Sequence, residues 1–508
     1  MTTNSRRITR RTVLKAGLFG VPATAAVAGS GVGWWWVNAD LDTVDQIDFD
    51  QPLAIPPLAD SHFDGEGRRV FELTAQAGTT ELRPDMPSDT WGFNGGYLGP
   101  TLRAARGEQV LINVHNELDE ATTVHWHGMH LPARMDGGPH QMVGPGESWS
   151  PTWAVDQPAA TLWYHPHPHG KTREHVDQGL AGMFILDDAE AEPAGLPSEY
   201  GVDDIPVIVQ DRSIDDSGDL RTGNIGDTVL VNGTYGPFLD VTTEAVRLRL
   251  LNGSNSRVYN FGFSDDREFA IIGSDGGLLP ARVERNRLAL SPGERAEVVV
   301  QMVPGEDVVL RSYQPDLGVN WFTNVFDGGK DRLDLLELRA ADALDPSEPL
   351  PAELAAAPAL VDNLDNLDGD RRFELQGNKI NGRSMDMGRI DEFVEVDTTE
   401  IWVVTNTDGE YHNFHVHDVQ FQILDINDTP PPAELAGWKD TVFIQPGDTA
   451  RLAMRFTDYT DSDVPYMFHC HRLRHEDRGM MGQFVVVEPG QQRTQTDRIE
   501  GRNNGHDH

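Results

Sequence analysis

The chain has 508 residues, with 81 Asp and Glu against 41 Lys and Arg, a formal net charge of −40. Like charges repel, which excludes nucleic acid and anionic membrane surfaces as natural partners. The length leaves room for about three domains, the 50 glycines and 32 prolines suit a β-rich chain with many turns, and a single cysteine, Cys470, rules out an intramolecular disulfide.

In chain order, residues 1–37 read as an export signal. Arg6-Arg7 and Arg10-Arg11 precede Thr12-Val13-Leu14-Lys15, and residues 16–37 carry no charge. The second arginine pair resembles the twin-arginine export consensus, which implies a periplasmic, cell-surface or extracellular protein. Small residues at 23–31 offer a cleavage site. The uncharged run is also just long enough to span a bilayer, so an uncleaved anchor is the alternative, with Trp34-Trp35-Trp36 at the interface. This segment is the chain's one expected membrane contact.

Residues 50–190 form the first expected domain, with strands at 110–114 and 182–186, where apolar, β-branched runs are bounded by turn residues. Residues 187–203 read as a linker. Residues 204–340 form a second domain with strands at 205–210, 228–231, 246–251 and 296–302. It contains no histidine and so offers no imidazole ligand; its expected role is to space the outer domains. Residues 341–369 form a second linker, 370–490 a third strand-rich domain, and 491–508 a polar tail whose His506 and His508 are expected to be tail residues. Short strands with Gly/Pro turns point to β-sandwiches.

The chemistry concentrates in Phe468-His469-Cys470-His471, followed by His475 and Met480. On a strand, His469 and His471 face one way and Cys470 the other. His475 is expected in the turn that follows. A thiolate, two imidazoles and a weak axial thioether make a blue-copper site. The second imidazole is available in His412-Asn413-Phe414-His415-Val416-His417. Met481 competes with Met480 for the axial place. Four His-x-His pairs run along the chain: His125/His127, His165/His167, His415/His417 and His469/His471. Eight imidazoles exceed the needs of one ion and suit a cluster, leaving His412, Cys470, His475 and Met480 for a separate mononuclear site.

These motifs, with Asn94-Gly95-Gly96-Tyr97-Leu98-Gly99-Pro100-Thr101-Leu102-Arg103 before the first pair and Gly437-Trp438-Lys439-Asp440-Thr441-Val442 between the last two, resemble the three-domain bacterial multicopper oxidases of the laccase, cuprous oxidase and bilirubin oxidase kind. The resemblance implies an all-β chain of three cupredoxin-like Greek-key domains and four copper ions. It assigns His125 and His415 to the type 2 ion, and His127, His165, His167, His417, His469 and His471 to the type 3 pair. The type 1 ion falls to His412, Cys470 and His475, with Met480 axial. His169 matches no ligand position, and His62, His115, His130, His140 and His175 remain unassigned.

Such an enzyme takes electrons singly from a small-molecule donor and delivers four to dioxygen. Cys470 between two cluster ligands supplies a covalent path of roughly 10 Å between the two sites. Four protons are also needed. Asp136 and Glu476 match the family's relay positions, with a turn or surface carboxylate as the alternative for each. No methionine-rich run occurs between 340 and 412, Met385 and Met387 are isolated, and Gly409 and Glu410 follow the expected acid, Asp408. This favours a laccase-like enzyme with an open donor site for phenols, aromatic amines or bilirubin-like compounds; a cuprous oxidase or copper-tolerance protein, or a bilirubin oxidase, is the alternative, and a monomer is expected. Copper nitrite reductase has fewer histidine pairs. A copper-binding scaffold of the same fold would have lost ligands, and every ligand position here is filled.

Overall fold

The structure is a computed structural model that describes residues 40–189, 195–355, 358–361, 369–491 and 497–499. The expected export signal at 1–37 and the histidines of the expected tail, His506 and His508, lie outside the described residues. Six sheets pack as three successive sandwiches. In the first, a six-stranded sheet built on Arg69–Arg83 and Gln109–Asn116 faces a four-stranded sheet of Leu102–Ala105, Gly182–Asp187, Ala160–His165 and His125–His127. In the middle, an eight-stranded sheet centred on Asp204–Ile214, Ala245–Asn252 and Arg295–Gln301 faces a six-stranded one. The last pairs two five-stranded sheets. One holds Arg371–Gln376, Thr398–Asn406 and Thr449–Phe456, and the other holds Glu392–Glu395, Met481–Val487, Tyr466–Cys470, His412–Val416 and Thr441–Ile444.

The same crossovers recur in all three. Arg69–Arg83 pairs parallel with Gln109–Asn116, Asp204–Ile214 with Ala245–Asn252, and Arg371–Gln376 with Thr398–Asn406. In the facing sheets, Gly182–Asp187 is parallel to Leu102–Ala105, Pro237–Thr243 to Leu333–Asp345, and Glu392–Glu395 to Met481–Val487. Parallel neighbours need a crossover rather than a hairpin, so each sandwich is a Greek key, and the fold is all-β and cupredoxin-like. The strands read from apolar runs lie where they were expected, within Gln109–Asn116, Gly182–Asp187, Asp204–Ile214, Thr228–Val231 and Ala245–Asn252; the run at 296–302 ends one residue sooner, in Arg295–Gln301.

The sandwiches exchange elements. Gln51–Pro52 joins the middle six-stranded sheet beside Pro237–Thr243, although it lies in the stretch expected to belong to the first domain. Leu333–Asp345 carries that sheet past residue 340. Outer strands alternate buried and solvated residues, as in Gln109–Asn116, where Val110, Ile112 and Val114 point inward. Ala160–His165, His412–Val416 and Tyr466–Cys470 are instead buried on both faces. One face fills a sandwich core and the other meets a neighbouring sandwich. Trp163, Met183 and Ile185 pack on Ile208 and Leu251 between first and middle, and Tyr411 packs on Val258 and Leu317 between middle and last.

Leu250 is fully enclosed in the middle core. Leu250→Ala is expected to cost about 2–5 kcal/mol in a urea denaturation series. Leu58→Ala, at a residue 42% exposed, is expected to stay within about 0.5 kcal/mol.

Candidate metal centre

Strand alternation divides the chemistry. His412 starts the strand His412–Val416, and its face carries Phe414 and Val416 into the core of the last sandwich, where Cys470 and Met480 also lie. His415, opposite His469 in register, faces away. The strand Tyr466–Cys470 stops at the cysteine, so His471 follows it. His475 sits on the short helix Leu473–Asp477 and not in a plain turn.

On the inner face, Cys470 Sγ lies 3.5 Å from His412 Nδ1 and 3.7 Å from His475 Nδ1, and the two nitrogens are 3.2 Å apart. The outer nitrogens are tied back. His412 Nε2 meets Asp408 Oδ2 at 3.2 Å, and His475 Nε2 meets Glu410 Oε2 at 3.3 Å. Each imidazole thus turns Nδ1 to the sulfur. Burial alone would raise the Cys470 thiol, but His412 and His475 outweigh it and bring it down to about 5. Burial likewise opposes the charged form of His412, yet Asp408 and Cys470 lift it to about 9. A thiolate is therefore favoured here. Met480 shares the core with Cys470, whereas Met481 is the cross-strand partner of His469 and belongs to the opposite face.

On the outer face, all eight paired histidines are buried between the first and last sandwiches. They meet crosswise: His125 stacks on His417 and His127 on His415, each with ring centroids 3.8 Å apart. His165 approaches His471 at 5.3 Å and His167 approaches His469 at 4.8 Å. Three groups offer nitrogens within 4.8 Å of one another: His125 with His415 and His417, His125 with His127 and His165, and His167 with His417 and His469.

Hydrogen bonds choose the free nitrogen of five of the eight rings, those of His125, His127, His165, His415 and His417. The Nδ1 atoms of His125, His415 and His165 bond the carbonyls of Asp136, Asp440 and Pro166 at 2.9, 2.8 and 2.9 Å. His417 Nδ1 meets Asp136 Oδ2 at 2.8 Å. Glu476 reaches the Nδ1 atoms of His167 and His469 at 3.5 and 3.2 Å, ion-pair distances without hydrogen-bond alignment. His127 is the exception: its Nε2 meets Asp440 Oδ1 at 2.9 Å, so Nδ1 is the nitrogen left for a ligand role.

The buried Nε2 atoms of His125 and His415 and both nitrogens of His471 have no hydrogen-bond partner. Each such atom costs about 1–3 kcal/mol when left unsatisfied. Converging, unpaired imidazole nitrogens are what a soft to borderline cation satisfies, and a thiolate with two imidazoles suits copper. The donor set fits copper at both places.

Asp136 and Glu476 are thus buried carboxylates beside the clustered imidazole rings. His169 is exposed. His130 pairs with Asp418 and Asp458, His175 with Glu120, His115 with Ser148 and His140 with Gln483, while His62 lies on an exposed edge strand. Sequence reasoning assigned no role to Asp440, although it stands inside the Gly437–Val442 motif, nor to Glu410, noted there only as a departure from a methionine pattern.

Burial holds His167 down to about 3 and sets His127, His165, His417, His469 and His471 well below their ordinary value of 6.5. Unfolded, each takes a proton near 6.5; folded, it resists. The stability these rings contribute is complete above pH 6.5 and is lost as pH falls toward 3. Urea midpoints of the metal-free protein are expected to fall across that window, and His167→Gln to make the slope shallower.

Two multicopper oxidase family models match the chain, at residues 74–191 and 356–490. Multicopper oxidase mco of Staphylococcus haemolyticus is 35% identical over 448 residues, covering 86% of this chain and 92% of that protein. Cell division protein FtsP of Yersinia pestis is 36% identical over 449 residues, covering 86% and 92%. A crystal structure of laccase from Pediococcus acidilactici superposes with a TM-score of 0.78 at 37% identity, covering 86% of this chain and 94% of that one. With its sandwiches, its converging imidazoles and these relatives together, the chain belongs to the multicopper oxidase family, copper-dependent oxidoreductases that use dioxygen.

Proposed function

We propose that the protein is a laccase-like oxidase with four copper ions, which takes one electron at a time from phenolic or aromatic donors and reduces dioxygen to water. The observation that carries this reading is the complete donor set on the two faces of one strand. His412, Cys470 and His475 gather inside the last sandwich, and eight imidazoles gather outside it. His412, Cys470, His475 and Met480 would hold the type 1 ion. His125 and His415 would hold type 2, and His127, His165, His167, His417, His469 and His471 the type 3 pair. Copper bound there supplies one-electron oxidation at one site and four-electron oxygen reduction at the other.

The chain's own contribution is path and protons. Cys470 is bonded through the backbone to His469 and His471, so an electron has a short covalent route between faces. Asp136 holds His417 Nδ1 at 2.8 Å and approaches His125; Glu476 bridges His167 and His469. Each carboxylate is placed to pass a proton beside the cluster, where general acid–base help is worth about 10²–10⁴-fold. Gly409 and Glu410, not methionines, follow Asp408 beside the mononuclear imidazoles, which favours an organic donor over cuprous ion. The likeness to the laccase of Pediococcus acidilactici supports the same choice. We read each sandwich as one domain of an exported monomer, with residues 1–37 as its twin-arginine-type signal.

A non-catalytic role is the second reading, favoured by the similarity to cell division protein FtsP of Yersinia pestis. Oxygen uptake decides between them. The copper-loaded protein is expected to be blue and to consume oxygen with a phenol faster than with bilirubin or Cu(I), and Cys470→Ser to lose both colour and uptake. A blue protein without uptake would overturn the enzymatic reading. Asp136→Asn is expected to keep the blue colour while slowing oxygen reduction by about 10²-fold or more, read as steady-state uptake at saturating donor.

A further inference from the structure

The middle sandwich has no histidine, yet one of its side chains reaches the cluster. Arg295 begins the strand Arg295–Gln301, is fully buried, and has all five guanidinium N–H groups engaged. Nε donates to Thr161 O at 2.9 Å, on the strand that carries His165. Nη1 donates to Gly293 O at 3.1 Å and to Asp440 Oδ1 at 2.8 Å. Nη2 donates to Asp275 O at 2.8 Å and to Asp440 Oδ2 at 2.6 Å. One guanidinium therefore joins all three sandwiches at the point where the imidazoles converge.

Asp440 holds two cluster rings: its carboxylate bonds His127 Nε2 at 2.9 Å, and its backbone carbonyl bonds His415 Nδ1 at 2.8 Å, with Oδ1 3.5 Å from the same nitrogen. Its Oδ1 also accepts from Thr441 Oγ1 at 2.9 Å. Unpartnered, so buried a carboxylate would be costly and free to rotate; the bidentate arginine fixes its plane. The backbone makes room for this pair. Gly128, next to His127, has φ +85°, and a Cβ there would come within 2.5 Å of Asp440 Oδ2 and 2.8 Å of Arg295 Nη2. Gly293, whose carbonyl Arg295 holds, lies against the His471 ring, 3.1 Å from where its Cβ would be.

We propose that Arg295 is a positioning residue for the histidine cluster: through Asp440 it sets which nitrogen of His127 faces the metal and how His415 is turned. This rests on the copper reading of the cluster. It makes the histidine-free sandwich part of the metal centre and couples copper retention there to docking of all three sandwiches.

The test compares the parent protein with Arg295→Met, Arg295→Lys and Arg257→Met after loading with copper. Arg257 is the control, equally buried in the middle sandwich and paired with Asp211 and Asp331, away from Asp440. The readouts are copper per chain, blue absorbance and the electron paramagnetic resonance signal of the non-blue copper. Arg295→Met is expected to keep its blue absorbance while cluster copper is held about 10–100-fold less tightly and the non-blue signal changes. Arg295→Lys should fall between, keeping the charge without the fork. Arg257→Met should lower the thermal midpoint and leave the cluster signal alone. A parent-like copper ratio and signal in Arg295→Met overturns the proposal, as does equal copper loss in Arg257→Met. If Arg295→Met does not fold, a parent-like signal in Arg295→Lys overturns it. A parent protein that takes up copper only at the blue site overturns both this proposal and the cluster reading on which it rests.

Discussion

Everything at the metal centre depends on the two-residue period of a β-strand. Because neighbours on Tyr466–Cys470 point to opposite faces, Cys470 enters a sealed apolar core while His469 leaves it for a crevice between sandwiches. A one-residue slip in the pairing of Phe414 with Cys470 would exchange the two chemistries. The strand is held against that slip by Phe468, Tyr466 and Phe414 inside the core, which bury large rings on the cysteine's side only. Apolar packing thus sets the register, and the register separates the thiolate from the cluster.

The second constraint is the cost of burying so many nitrogens. Burial makes His127, His165, His167, His415, His417, His469 and His471 resist protonation, so these rings present lone pairs and not charges. Which lone pair points inward is decided from outside, by Asp136, Asp440, Glu476 and a few backbone carbonyls. Two of the three carboxylates beside these rings are held by hydrogen bonds, Asp136 from His417 Nδ1 and Asp440 from Arg295, whereas neither oxygen of Glu476 has an aligned one. Asp440 is gripped by a guanidinium, and Asp136 and Glu476 each sit against two imidazoles. The mononuclear site repeats the device with Asp408 and Glu410 nearer the surface.

The crosswise meeting of His125 with His417, His127 with His415, His165 with His471 and His167 with His469 reflects the repeated topology of the sandwiches. Corresponding strands of the first and last sandwiches, His125–His127 with Ala160–His165 and His412–Val416 with Tyr466–Cys470, are set face to face. Neither could hold the cluster alone. The middle sandwich meets both of them through Arg295, which bonds Thr161 of the first and Asp440 of the last.

Much was determined by the sequence alone. Alternation in His-x-His and His-Cys-His assigns faces without coordinates, since the period of a strand is a local property of the backbone. Apolar runs located the strands for the same reason. The short helix under His475, the crossing of Gln51–Pro52 and Leu333–Asp345 over the expected boundaries, and the partners Asp440, Glu410 and Arg295 were decided only by the tertiary structure. Arg295 and Asp440 stand 145 residues apart and meet at 2.6 Å. No local pattern encodes such a pair, because its geometry follows from how the three sandwiches dock.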